Sequence, residues 1–169
     1  MIRALSAAAA LTAAAIGAAP TASADPLADL LGMVPEGYGP QGCQPIVDKP
    51  PPKALTAVDC QNRVFPGGGP APARYILYGD PDTLESDFAA FINSKGQFGP
   101  LPCLGNPGIG PNKWGPPDTT AGSIACGTLN NQFAVVWTKD SGPYFGAAIG
   151  KDLNALMSWW VATIEQPPN

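Results

Sequence analysis

Glycine and proline set the first limit on what this chain can become. They number 20 and 21 among 169 residues, and they cluster. Within residues 99–117 eleven of nineteen positions are Gly or Pro. That density excludes a helix or a central strand, because Pro lacks the donor a ladder needs and Gly loses the most entropy on ordering. A second such stretch covers 37–52 and a third 66–72, so the chain reads as short ordered segments between irregular ones. A hydrophobic content of 45% against 13% charged residues still argues for a packed core rather than disorder.

The start of the chain has the form of an export signal. Arg3 gives a positive end, residues 4–19 are an Ala-rich apolar run, and Ala22-Ser23-Ala24 is a small-residue cleavage site before Asp25. The run is shorter and less apolar than the ~20 residues a membrane span needs, so residues 1–24 are expected to be a cleaved signal peptide and the protein secreted, to the extracellular space or cell envelope. No later apolar run is as long, so no transmembrane span is expected after cleavage. Removing 1–24 takes away Arg3 as its only charge and leaves 8 basic against 13 acidic residues. The eight cations are scattered singly, which excludes the basic face that a nucleic-acid partner requires. His is absent from the whole sequence, and with it the Ser-His-Asp and Cys-His catalytic sets and His-ligated metal sites.

Four cysteines, Cys43, Cys60, Cys103 and Cys126, come after the signal and are expected to be oxidised in an exported chain. Three pairings exist. The spacing favours Cys43 with Cys60 and Cys103 with Cys126, each pair closing a Pro-rich loop. A metal knuckle is disfavoured by the lack of any CxxC, and neither a metal nor another cofactor is expected.

The segments after the second cysteine of each pair are alike. Tyr75-Ile76-Leu77-Tyr78-Gly79-Asp80 and Val135-Val136-Trp137-Thr138-Lys139-Asp140 both read as apolar strand, turn and Asp. Two diverged copies of one Cys-loop-Cys-strand-strand-helix unit would give this; so would the ordinary mixture of hairpins, helices and disulfides in secreted α+β proteins.

Ordered elements are indicated by periodicity. Residues 73–78, 123–126, 133–138 and 144–149 read as strands, with Asn130-Asn131 turning the hairpin between the second and third. Asp82 and Glu85 form a capping box for a helix whose stripe is Leu84, Phe88, Phe91 and Ile92. A last helix begins near Asp152, with Leu153, Leu156, Met157, Trp160 and Ile164 on one face and Trp159 at its flank. The expected fold is α+β, an antiparallel sheet of about five strands with two helices on one face, stapled by disulfides. It forms one domain over 53–169, after an irregular segment 25–52 that carries at most a short helical turn at 26–31.

Several of these stretches, the Ala22-Ser23-Ala24-Asp25-Pro26 junction, Gly122-Ser123-Ile124-Ala125-Cys126, Val135-Val136-Trp137-Thr138 and Leu156-Met157-Ser158-Trp159-Trp160, form a recognisable pattern. It resembles the small exported proteins of unknown function found in mycobacteria and related actinobacteria. The second half is more loosely similar to the extracytoplasmic tails of some actinobacterial serine/threonine kinases. The resemblance implies an envelope or extracellular location and a sensor-like or binding role, with no kinase domain here; likeness of fold alone does not confer function.

Two functional classes remain. The first is a non-catalytic module that binds an envelope component or a protein through aromatic residues in turn-rich sequence, Trp114, Tyr38 and Tyr144, with Trp159 beside them; the competing role for each ring is to plug the core. The second is a hydrolase using the acidic group Asp80, Asp82, Glu85 and Asp87, although capping and solvation account for these carboxylates. Their spacing lacks the DxDxDG of a calcium loop. Ser123 and Ser141 have no base nearby in sequence, so a serine hydrolase would need a lone Lys. No catalytic residue is therefore assigned.

Overall fold

The computed structural model describes residues 25–35, 38, 42–49, 51–61, 72–103, 105 and 108–165. Residues 1–24, where a signal peptide is expected, most of the Gly- and Pro-rich stretch 66–72 and the final prolines lie outside them. Among the described residues eight strands form one open antiparallel sheet: β1 Cys43–Pro45, β2 Ala54–Cys60, β3 Ala73–Tyr78, β4 Phe98–Leu101, β5 Asn112–Trp114, β6 Gly122–Leu129, β7 Gln132–Lys139 and β8 Tyr144–Gly150. Their order is β1-β2-β3-β8-β7-β6-β4, and β5 pairs with the other end of β6. Three α-helices, α1 Pro26–Met33, α2 Pro81–Ile92 and α3 Leu153–Trp160, pack on this sheet, and a π-helical turn, Val161–Glu165, extends α3.

The expected five strands become eight because the Gly- and Pro-rich stretches contribute short edge strands. Pro45 lies on β1 and Pro100 on β4, the positions in a sheet where a missing donor costs least. The expected loop between Cys43 and Cys60 is the hairpin β1–β2, in which those two residues face each other across the ladder. Segment 25–52, expected to be irregular apart from a short helical turn at 26–31, holds α1 at that place and β1 further on.

The helices do not share one face, which corrects the second part of the expectation. Along β3, Tyr75 and Leu77 point to one side, where they pack with Val135, Trp137 and Tyr144 beneath α1 and α3. Ile76 and Tyr78 point to the other, where they join Val136, Ala134 and Phe145 beneath α2. Both side-chain sets of β3 and β7 are apolar at their centres, Tyr75, Leu77, Val135 and Trp137 on one side and Ile76, Tyr78, Ala134 and Val136 on the other, so both faces need a cover. Each fully buried large side chain is worth about 1.5–3 kcal/mol relative to exposure, and a one-sided sheet would forfeit one set. The central strands also pack tightly: Trp137 lies opposite Gly146, where any Cβ would collide with the indole.

Disulfides join Cys43 to Cys60 and Cys103 to Cys126, the pairing favoured by spacing. One lies near each edge of the sheet, and the halves of the chain meet where β3 pairs with β8. The halves differ in strand number, and the helices that come after β3 and β8 go to opposite faces.

Candidate functional site

The four aromatic residues singled out in sequence lie in the core on the α1/α3 face. Tyr38, Trp114, Tyr144 and Trp159 retain 2%, 8%, 2% and 7% of their surface, so each ring takes the core-plugging role and not the alternative of display in a loop or at a helix flank. Tyr75 packs edge-on against Tyr38 and Trp137, with Tyr144 tilted beside it, and Trp159 closes on Trp137 at 5.9 Å. Trp114 sits edge to face with Trp160 and donates its indole N–H to the Thr138 carbonyl at 3.0 Å. Burial raises the phenol pKa values of Tyr75 and Tyr144, so both remain neutral inside the protein, and the Tyr144 hydroxyl accepts from the Trp137 indole N–H. Gly/Pro-rich surroundings conceal this burial in the sequence, since a ring on an irregular segment can fold inward as well as outward.

The carboxylates are engaged separately. Asp80, rather than Asp82, caps α2: Pro81 takes the first helical position, and the Asp80 side chain accepts from the Thr83 amide at 2.8 Å and the Thr83 hydroxyl at 2.9 Å. These bonds hold the Asp80 pKa below the ordinary carboxylate value. Glu85 is released from the expected capping box and forms a polar cluster with β5 and β6. Its Oε1 lies 3.0 Å from Lys113 Nζ and accepts from the Ser123 hydroxyl at 3.1 Å, while Lys113 Nζ donates to Ser123 Oγ at 2.9 Å. Ser123 thus has a Lys beside it, and that Lys is engaged by Glu85 as well. Asp140 adds a carboxyl whose pKa is raised by burial against the opposing pull of Lys113, and its buried Oδ1 has no hydrogen-bond partner among the described residues. Among the described residues no group of three or more His, Cys, Asp or Glu could hold a metal ion.

A feature of ligand size lies on the α2 face, and of the candidate site residues chosen from sequence Asp87 and the disulfide-bonded Cys60 border it. Helix α2 covers only part of the sheet beneath it. What remains is a cavity of about 540 Å³, within the range of small-molecule sites. Its apolar side is Phe145, Ala147 and Ile149 of β8, with Phe91 of α2 and Leu129 of the β6–β7 hairpin. Toward β2 it becomes polar, through Gln61, Asp59 and Arg74. Asp59 and Arg74 are cross-strand partners. The guanidinium donates from Nε to Oδ1 at 2.7 Å and from Nη2 to Oδ2 at 2.8 Å, a two-pronged pair that raises the Arg74 pKa further. At the helix wall Asp87 pairs with Lys53 at 3.3 Å. Burial, and then the charge and hydrogen bond of Asp87, push the Tyr78 phenol well above its ordinary pKa.

Among the described residues no helix is long and apolar enough to cross a membrane. Comparison of the chain with protein-family models, curated proteins and solved structures gives no match, so a functional reading has to rest on the geometry of this groove.

Proposed function

We propose that this chain is a secreted, non-catalytic binding module of the cell envelope or extracellular space, and that it takes its ligand in the groove beside α2. The observation that carries the reading is the cavity itself: about 540 Å³, apolar along β8 and polar along β2, on a face where the helix stops short of covering the sheet. Two disulfides close loops in an irregular chain, which suits an oxidising location outside the cytoplasm. Of the carboxylates that a hydrolase would use, Asp80 serves as a helix cap and Glu85 and Asp87 as members of ion pairs, while Asp82 lies exposed in the first turn of α2. A resemblance to exported actinobacterial proteins agrees with a binding or sensor role.

The test is uptake of the uncharged dye N-phenyl-1-naphthylamine, monitored by its fluorescence. Ala90 is exposed on α2 and lines the groove, whereas its neighbour Ala89 is exposed and does not. Ala90→Trp should weaken dye binding by about tenfold or more, equivalent to ~1.4 kcal/mol, and Ala89→Trp should bind as the parent does. Equal binding by all three proteins would place the dye elsewhere, and no binding by the parent would remove the groove as a site.

A further inference from the structure

We infer that the groove selects an uncharged amphiphile, with an aliphatic body on β8 and a hydroxylated head at the Asp59–Arg74 pair. This rests on the groove being the binding site. The cavity wall is divided lengthwise: Phe145, Ala147 and Ile149 lie on one side, while Asp59, Arg74 and Gln61 lie on the other. A purely apolar ligand would leave the second side without hydrogen bonds, and a wholly polar one would forgo burial on the first.

The charges decide the nature of the head. Each formal charge at the groove already has an opposite partner: Arg74 is held by Asp59 through two bonds, and Asp87 by Lys53. An anionic head on the N–H groups of Arg74 that the pair leaves free would lie beside the Asp59 carboxylate, and would escape that repulsion only by drawing Arg74 away. A cationic head meets the mirror-image difficulty at Asp59, where Arg74 is already seated. A ligand that closes over the groove would take this half-exposed pair out of water, and a head that separated it would leave one charge buried without its partner, which costs more than the pair itself contributes. A hydroxyl avoids both penalties, since it donates to a free lone pair of Asp59 and accepts from an N–H of Arg74 not used in the pair. Several adjacent hydroxyls, as on a sugar or polyol, would use Asp59, Arg74 and the Gln61 amide together while the ion pair stays closed.

Displacement of N-phenyl-1-naphthylamine by three ligands with the same eight-carbon chain tests this: octyl glucoside, octanoate and octyltrimethylammonium, each below its micellar concentration and at equal ionic strength. Octyl glucoside should displace the dye at a concentration about tenfold or more below that of either ion. Asp59→Asn frees the Arg74 charge and should turn the preference toward octanoate. Octanoate or octyltrimethylammonium displacing as well as the glucoside from the parent protein would overturn the assignment of the head. If none of the three displaces a dye that Ala90→Trp still excludes, the amphiphile is overturned while the groove stands, and a polypeptide becomes its occupant. Failure of the parent to take up the dye overturns both readings.

Discussion

Asn130 and Asn131 adopt φ of +51° and +61°, the left-handed pair that a two-residue hairpin turn demands. Leu129 pairs with Gln132 across this turn, and the turn thereby sets the register of the β6–β7 ladder. Asn tolerates this region and a β-branched residue does not, at a cost of about 1–2 kcal/mol per residue. Asn130→Val is therefore expected to lose about that amount in urea denaturation, whereas Asn131→Gly should match or exceed the parent. Asp140 is a residue of the opposite kind, tolerated rather than required. Its pKa is raised in the folded protein, chiefly by burial, so the folded state binds its proton more tightly than the unfolded state. Its contribution is most favourable below the ordinary carboxylate value of 3.8 and is lost as pH rises through the raised folded value. Asp140→Asn should accordingly unfold at higher denaturant than the parent at pH 7, with the difference shrinking as pH falls below 4. A parent that remains the more stable at pH 7 would show that Asp140 has a compensating partner.

At the scale of the elements, the disulfides and the edge strands depend on each other. β4 and β5 are four and three residues long and come from the 99–117 stretch of Gly and Pro. Cys103–Cys126 closes 23 residues between that stretch and β6, which the chain-entropy relation values at about 3 kcal/mol. The double variant Cys103→Ser, Cys126→Ser should lose about this much by denaturant titration; an unchanged midpoint would mean that the ladder to β6 holds the edge without the bond. The elements legible in sequence are those with strong local signals. β3 matches at both ends because Ala73 to Tyr78 is an aromatic and aliphatic run between breakers, and α2 is visible from its Leu84, Phe88 and Phe91 stripe. Its cap lies two residues earlier than a capping box at Asp82 would put it, and Pro81 at the first helical position is the signal that marks Asp80. The second covered face is also present in sequence, since Ala134 and Val136 are as apolar as Val135 and Trp137; small Ala134 and polar Thr138 on that side give the run the look of alternation against solvent. The groove leaves no local signal. Its walls come from β2, β3, α2, the β6–β7 turn and β8, and its size is set by how far α2 reaches across the sheet.

For the whole molecule, the consequence of a two-faced sheet is a division of labour between faces. All four tryptophans, Trp114, Trp137, Trp159 and Trp160, are buried in the cluster beneath α1 and α3, and none lines the groove on the α2 side. Trp137 sits on β7 with its ring turned away from that side, and Trp159 and Trp160 belong to a helix on the far face. Native fluorescence should therefore be blue-shifted and poorly quenched by acrylamide, because every indole is shielded from water. It should also be nearly silent to a ligand in the groove, since the sheet separates the two. Octyl glucoside has no chromophore and serves as the probe: saturation, monitored by dye displacement, should leave the intrinsic emission maximum and its acrylamide quenching unchanged. A ligand received by Trp114 or Trp159 would have to open the α1/α3 cluster, shifting the emission and exposing indole to quencher. Dye displacement accompanied by that shift would move the site to the aromatic face, while displacement without it leaves the α2 groove as the binding surface and the aromatic face as the core that holds the sheet in shape.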